Sequence, residues 1–394
     1  MNRMRPFRPG FTAVLIAAIV TAFAQQGLPI VANAFRRADH LDLVAMGGLV
    51  TAVTTGTFGG MILWGRLIDR WGTGRTLEAS LVVTMIPLIV LAILPSLPYL
   101  PLLACLAILG WGLPGLPLTG LRWTAGALSP EHQGIAISAR QATTPLGALV
   151  AALILTPLVR WWPLRGLLLV VMLSLVVAGS ILGTILQPMS GRKSAGKPWE
   201  RPPSPHFRSL GRVIMVAVLV GPGPYLLLTY GITTQRSGSL GVTAWLVLVE
   251  LGAVTGRLMA GWWSDRSGRI THVLCGTTAL GTLTLAVLAQ GVGVHGPVVV
   301  VVAEALCLGV GISAWNGLVY AWGSMLVAPA QQGAALGVIG AATFLGIATA
   351  SPVFGWVAQR WGVGAGWAVA AGTFALASLV AGTAQVPQAS DGIK

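Results

Sequence analysis

The sequence predicts an all-α membrane protein that crosses the bilayer twelve times. Only 9% of its 394 residues are charged and 55% are hydrophobic, whereas soluble domains carry roughly 25% charged residues. Apolar runs of about 20 residues, each long enough to cross a hydrocarbon core of about 30 Å, recur along the chain. The second half also repeats motifs of the first half at a nearly constant spacing. These observations exclude a soluble domain and favour a duplicated bundle of helices.

Twelve apolar segments are predicted as membrane spans. The first is too long for a signal peptide and lacks a small-residue cleavage site, so we expect it to remain as span 1. In order, the predicted spans are 11–35, 43–64, 76–97, 99–127, 131–159, 164–186, 211–234, 243–263, 271–293, 297–326, 330–357 and 365–386.

The net charge of +14 follows from where the basic residues lie. With the N-terminus inside, 15 of the 24 Lys and Arg residues fall in cytoplasmic segments and six fall outside. This bias orients both termini towards the cytoplasm, and we expect a multi-pass protein of a bacterial inner membrane. Anionic lipid accounts for the basic charge, so no nucleic-acid partner is expected.

An internal repeat divides the chain. "SPEHQGIAIS" at 129–138 matches "APAQQGAALG" at 328–337, an offset of 199, and "GRLIDRWGTGR" at 65–75 matches "GWWSDRSGR" at 261–269, an offset of 196. Each half contains an even number of spans, so both halves enter the membrane in the same orientation. The predicted parts are an N-terminal six-helix bundle (1–186), a basic, Pro- and Ser-rich cytoplasmic linker (187–212) and a C-terminal six-helix bundle (213–394).

These features resemble the major facilitator superfamily. The stretch "GRLIDRWG" at 65–72 matches that superfamily's signature between spans 2 and 3, and its echo lies between spans 8 and 9. The resemblance implies a transporter that works by alternating access without a cofactor, and it implies that this motif holds the inner side closed in one state. The residues that it assigns to gating are Asp69, Arg70, Arg75, Asp265 and Arg266.

Ionisable residues inside the predicted spans are the candidates for function, because each costs at least about 2.5 kcal/mol at the bilayer centre. They are Arg122, Arg140, Glu250, Arg257 and Glu304. At the matching positions of the other half stand Ala321, Ile339, Thr54, Met61 and Cys105. None of these charges is duplicated, which favours substrate or ion handling over a role in the shared scaffold.

The charge types indicate two chemistries. Arg140 and Arg257 lie about 15 Å and about 12 Å from the inner face along their helices, and the arginine fork suits bidentate binding of a carboxylate. Glu250 and Glu304 are candidate proton carriers. Static pairing of Arg140 with Glu250 is the alternative. The predicted substrate contacts are Arg140, Arg257, Gln25, Asn316, Tyr230 and Arg122.

The substrate class follows from a narrower resemblance. "GRLMAGWWSDR" at 256–266 is similar to monocarboxylate- and oxalate-type members, in which an arginine at the position of Arg257 contacts the anion. We expect a monomeric, proton-coupled transporter (a symporter) of a small organic anion. The alternative is a proton-driven efflux pump for drugs or metabolites. Leu106, where such pumps often carry arginine, and "TTPLGA" at 143–148, which lacks their glycine before proline, count against it.

An enzyme is not expected. The sequence contains no HExxH, no Gly-x-Ser-x-Gly and no nucleotide-binding loop. Its three cysteines all lie inside predicted spans without metal-ligand spacing, so we expect neither a metal nor a cofactor.

Overall fold

The computed structural model describes residues 9–38, 40–94, 97–120, 133–186, 207–234, 240–291, 297–327 and 332–383. Within these ranges every regular element is a helix. Twelve helical segments are long and apolar enough to cross a membrane. The all-α class and the twelve spans are therefore confirmed, and the chain is a multi-pass membrane protein.

Nine spans are continuous helices, and spans 4, 7 and 10 are interrupted. The continuous helices are Pro9–Ala38 (span 1), Leu43–Trp71 (span 2), Thr73–Ile93 (span 3), Gln133–Trp161 (span 5), Leu164–Leu186 (span 6), Val242–Ser267 (span 8), Ile270–Ala289 (span 9), Gln332–Trp361 (span 11) and Val363–Gly382 (span 12). The interrupted spans are Tyr99–Gly112 followed by helix over 115–120 (span 4), Phe207–Val220 with Pro222–Thr234 (span 7) and Val298–Ser313 with Trp315–Met325 (span 10).

Most helix ends differ from the predicted ones by a few residues, and the starts of spans 3 and 7 illustrate this. Span 3 starts at Thr73 instead of residue 76, because Gly72 adopts a φ of 81° that ends span 2 and lets the next helix begin at once. Span 7 starts at Phe207, so residues 207–212 of the predicted linker are helical. The rest of that linker, 187–206, lies outside the described residues.

The interruptions in spans 4 and 10 leave main-chain carbonyl oxygens available to side chains. In span 4 the helix turns at Leu113 and Pro114, and Pro117 lacks the N–H that would bond the Leu113 carbonyl in a regular helix. In span 10 the break falls between Ser313 and Trp315, at the equivalent point of the repeat. The carbonyl oxygens of Leu113 and Ser313 each accept a hydrogen bond from a polar side chain of another span.

One helix crossing occurs in both halves. Gly110 of span 4 packs against the Val53 carbonyl of span 2 so closely that a Cβ atom would not fit. Gly309 of span 10 packs in the same way against the Val249 carbonyl of span 8. The spacing between the two crossings is that of the sequence repeat, which is what duplication of a helical bundle would produce.

The halves meet closely at one end of the molecule. We call it the outer end, after the predicted topology; spans 1 and 7 end there, spans 2 and 8 begin there, and spans 11 and 12 meet there. Hydrogen bonds that cross between halves there join Asn33 to the Thr229 carbonyl (3.1 Å), Tyr230 to the Leu43 carbonyl (3.2 Å), Thr51 to the Ala348 carbonyl (2.7 Å) and Gln359 to the Asp42 carboxylate (3.4 Å). The outer end is closed.

Candidate functional site

A narrow cavity lies between the two halves. Its empty volume, counted out to its mouth, is about 540 Å³. Spans 1, 2 and 4 supply most of the wall with aliphatic side chains, and Tyr225 of span 7 and Phe344 of span 11 supply the wall of the second half. These two rings meet edge to face with centroids 6.2 Å apart. Among the described residues, no charged side chain lines the cavity.

Three polar side chains of the cavity wall are hydrogen-bonded to the backbone. Gln25 of span 1 donates from Nε2 to the Leu113 carbonyl oxygen at 3.5 Å. Thr54 and Thr57 of span 2 donate to carbonyl oxygens of their own helix, and the Thr57 hydroxyl also lies close to the Gly110 carbonyl oxygen. Gln25 is therefore the wall residue whose amide oxygen is left to accept a hydrogen bond from a ligand.

Arg140 lies beside the inner part of span 4 and is not part of the cavity wall. Its Nη2 donates to the carbonyl oxygen of Pro117, one helical turn beyond Leu113. Its Nε is buried and has no hydrogen-bond partner among the described residues. Arg140 thus carries a charge and an unused donor at the edge of the cavity region.

Arg257 links the two halves. Its Nε donates to the Ser313 carbonyl oxygen at the break of span 10 (3.2 Å), and its Nη1 donates to the Gln141 carbonyl oxygen in span 5 (3.0 Å). Gln141 directly follows Arg140 in the chain. The guanidinium of the second half is therefore attached to the same short stretch of span 5 that carries the arginine of the first half.

The two membrane glutamates are both buried, with relative exposures of 5% for Glu250 and 6% for Glu304. Glu250 lies two helical turns from Arg257 on span 8, and the contacts found for Arg140 do not include it. Glu304 accepts a hydrogen bond at Oε2 from the Trp245 indole (3.3 Å). Its Oε1 is buried without a partner in the described part of the chain.

Two further predicted contacts lie in different places. Asn316 is the second residue of the second helix of span 10, and its Oδ1 is buried without a partner among the described atoms. Tyr230 lies in the closed outer end, where its hydroxyl is also 2.8 Å from the Ser351 carbonyl oxygen. Its side chain is 1% exposed and does not line the cavity. Arg122 lies outside the described residues.

The predicted gating motif lies at the inner ends of spans 2 and 8 and at the start of span 3, which carries Arg75. Arg70, Arg75 and Arg266 are exposed there, and Arg266 stacks on the Trp262 ring of its own helix at 5.6 Å. Asp69 and Asp265 belong to the helices of spans 2 and 8, but their side chains lie outside the described part of the structure.

Two features of the site were missed at the level of sequence. The first is Trp245, whose indole N–H requires an acceptor once buried; a tryptophan near the start of a predicted span is the signal that could have raised the question. The second is the use of main-chain carbonyls by Gln25, Arg140 and Arg257. Every residue has a main-chain carbonyl, so the residue type does not identify such an acceptor. The exception is Pro117, whose missing N–H leaves the Leu113 carbonyl free.

Comparisons with known proteins agree on the family. A sequence profile of the Major Facilitator Superfamily matches residues 14–351. An uncharacterized MFS-type transporter of Mycobacterium tuberculosis is 27% identical over 268 residues, which cover 66% of this chain and 59% of that relative. The chain thus spans less than two thirds of that relative's length.

Solved structures share the fold. The human organic anion transporter MFSD10 has a TM-score of 0.69 at 17% identity, covering 95% of this chain and 100% of that one. A point mutant of the nucleoside transporter NupG has a TM-score of 0.70 at 13% identity, covering 94% and 98%. The POT family transporter PepTSo has a TM-score of 0.75 at 11% identity, covering 95% and 97%.

The profile covers most of the chain, and the family that it describes consists of transporters and not of enzymes. A cavity between two helical bundles suits a small-molecule substrate. The chain belongs to the major facilitator superfamily of membrane transporters.

Proposed function

We propose that this transporter moves a small organic anion across the membrane by alternating access, coupled to protons. The observation that carries the proposal is the convergence of two arginines on one stretch of span 5. Arg140 belongs to it, and Arg257 donates to the carbonyl oxygen of the next residue, Gln141. Their acceptors among the described residues are neutral main-chain carbonyls. The pair therefore keeps a positive charge that an anionic ligand would balance.

The arginines retain donors for such a ligand. A guanidinium has five N–H donors, and the Nε of Arg140 is buried without a partner in the described structure. Glu250 on span 8 can compensate one of the two charges at most. Since an uncompensated charge inside the membrane is costly, a carboxylate held by the remaining donors would be stabilised both by charge and by hydrogen bonds.

Proton coupling is proposed for the two buried glutamates. Burying a carboxylate with an unpartnered oxygen costs more than burying the protonated acid, and Oε1 of Glu304 is in that situation among the described atoms. Glu250 faces the same region as Arg257 on span 8. A conformational change that brings water to either carboxyl group would release its proton, which links the proton to the transport cycle.

Alternating access assigns a different role to Tyr230. Its hydroxyl lies within hydrogen-bond distance of the Leu43 carbonyl of span 2 and of the Ser351 carbonyl of span 11, and its side chain is not part of the cavity wall. We therefore propose Tyr230 for closure of the outer end in place of substrate contact. In the complementary state this end opens, and the hydrogen bonds between Asn33 and span 7 and between Thr51 and span 11 break.

A proton-driven efflux pump for apolar compounds is the second candidate. The observation in its favour is the cavity wall, which consists of uncharged and mainly aliphatic side chains. A lipophilic cation would be repelled by the two arginines but would find apolar contacts in this cavity. The two candidates therefore differ in the charge of the ligand.

Binding and flux of the purified protein distinguish them. We expect carboxylates to stabilise the protein against heat and to be taken up into proteoliposomes, and we expect Arg140→Gln and Arg257→Gln to abolish both effects. Arg360→Gln is the matched control, because Arg360 is exposed at the outer end and stacks on Trp361 at 5.7 Å. Binding of lipophilic cations without any response to carboxylates would overturn the anion proposal in favour of the pump.

A further inference from the structure

The uncharged cavity and the arginine pair are separate features that lie close together along span 4. Gln25, on the cavity wall, donates to the carbonyl oxygen of Leu113. Arg140, outside the wall, donates to the carbonyl oxygen of Pro117. These two carbonyls are four residues apart, which is about 6 Å along a helix. One end of the cavity therefore lies about one helical turn from the guanidinium of Arg140.

The cavity itself suits an apolar body. Its wall combines aliphatic side chains of spans 1, 2 and 4 with the edge-to-face pair of Tyr225 and Phe344. The hydroxyl groups of Thr54 and Thr57 already donate to main-chain oxygens, so few polar groups compete for a ligand. A charged or strongly hydrated body would lose its water there without compensation.

From this arrangement we infer that the substrate is an amphipathic monocarboxylate with an extended aliphatic or aromatic body. Its carboxylate binds at Arg140 and Arg257, Gln25 lies at the junction, and the apolar body occupies the cavity. The inference rests on the proposed function for the carboxylate position and adds a second subsite that selects the length of the body. It predicts that small, fully polar acids bind weakly even though they carry the same charge.

A series of acids of increasing length tests the subsite. Acetate ends before the cavity, whereas hexanoate and octanoate extend into it. Affinity measured by calorimetry on the purified protein should rise about fourfold with each methylene that enters the cavity, the value expected for burial of one CH₂. Acetate would then serve as the probe of the arginine pair alone.

Two neighbouring threonines provide a matched pair of variants. Thr54 lines the cavity, and Thr55 is exposed on the outside of span 2. Thr54→Leu fills part of the cavity and should weaken octanoate binding about tenfold, while acetate binding stays unchanged. Thr55→Leu should leave both acids unaffected. Unchanged acetate binding also shows that the Thr54→Leu protein is folded.

The outcomes separate the inference from the proposal beneath it. If all acids bind equally well, or if Thr54→Leu weakens acetate and octanoate alike, the apolar subsite is wrong and the arginine site stands. If no acid binds while octanol and lipophilic cations bind and respond to Thr54→Leu, the anion proposal is wrong and the amphipathic monocarboxylate is overturned with it. Length-dependent affinity that Arg140→Gln abolishes for every acid supports both.

Discussion

The guanidinium of Arg257 in span 8 donates to the main-chain carbonyl of Gln141 in span 5, so a charged side chain of one half is held by the backbone of the other. The same side chain reaches the Ser313 carbonyl at the break of span 10. Any movement of the halves that separates spans 5 and 8 must release the first bond while the second can persist. Arg257 therefore links the proposed anion site to the relative position of the halves.

Arg257→Lys is expected to weaken anion binding although it keeps the charge. The ammonium group of lysine is compact, whereas the planar guanidinium of arginine can donate to two carbonyl oxygens and a ligand at once. Loss of one hydrogen bond to a charged group costs about 1.5–3 kcal/mol, so the dissociation constant should rise at least tenfold in a calorimetric titration. Arg360→Lys at the outer end is the control and should bind normally. Wild-type affinity in Arg257→Lys would mean that charge alone matters there.

Trp245→Phe is expected to destabilise the protein by removing the donor to Glu304. The Oε2 atom would then join Oε1 as a buried oxygen without a partner among the described residues, at a cost of about 1–3 kcal/mol. Thermal unfolding in detergent measures the change. In a Glu304→Leu background the cost should be smaller, because no buried acceptor is then left without its donor. Equal destabilisation in both backgrounds would show that the indole acts through packing alone.

Glu304→Gln tests proton coupling separately from stability. The amide oxygen of glutamine can still accept from Trp245, so the fold should be preserved. Uptake of carboxylate driven by a pH gradient should fall to the level seen without a gradient, while exchange of substrate across the membrane continues. The same experiment with Glu250→Gln assigns the proton to one glutamate or the other. Gradient-driven uptake that survives both changes removes the glutamates from the mechanism.

The sequence predicts the fold better than it predicts the site. Apolar length gives the twelve spans, and Pro114 and Pro222 account for the breaks in spans 4 and 7. No proline lies near the break of span 10 at Ala314, so that break could be expected only because span 10 repeats span 4. Helix ends shift by a few residues because a single residue such as Gly72 can end a helix. Hydropathy is averaged over many residues and does not detect such a local signal.

For the site, too, the sequence predicts some of the features and not others. Depth along a helix brings Arg140 and Arg257 near the middle of the membrane, and the structure joins both to one stretch of span 5. Their acceptors are main-chain carbonyls, which every residue carries, so composition cannot identify them. Tyr230 illustrates the opposite problem, since a polar side chain in span 7 suits a ligand or a contact between halves equally well until the neighbouring helices are placed.

Gly309→Ala is expected to destabilise the second half, because its methyl group would meet the Val249 carbonyl where spans 8 and 10 cross. Forcing the helices apart should cost about 1–3 kcal/mol. Gly276→Ala in span 9 is the control: nothing described lies within 4 Å of its added methyl group, and helix propensity should raise stability by up to about 1 kcal/mol. Thermal unfolding reports both. Equal behaviour of the two variants would contradict the close crossing.

Tyr230→Phe is expected to favour opening of the outer end. It deletes the hydroxyl that lies within hydrogen-bond distance of the Leu43 carbonyl across the halves and of the Ser351 carbonyl. Loss of about 1 kcal/mol of hydrogen bonding shifts a two-state equilibrium about fivefold. The measurement is the rate at which an impermeant thiol reagent added outside modifies Phe35→Cys, which lines the cavity, in a protein whose native cysteines are replaced by serine.

Tyr99→Phe provides the control for this rate. The Tyr99 hydroxyl donates to the Ala45 carbonyl at 3.0 Å, but both residues belong to the first half, so the bond is kept whichever way the halves move. Removing it should lower stability without altering outside labelling. Faster labelling in Tyr230→Phe alone assigns the closure of the outer end to the bond between span 7 and span 2. Equal rates in both variants would show that the remaining contacts, including those of Asn33 and Thr51, keep this end shut.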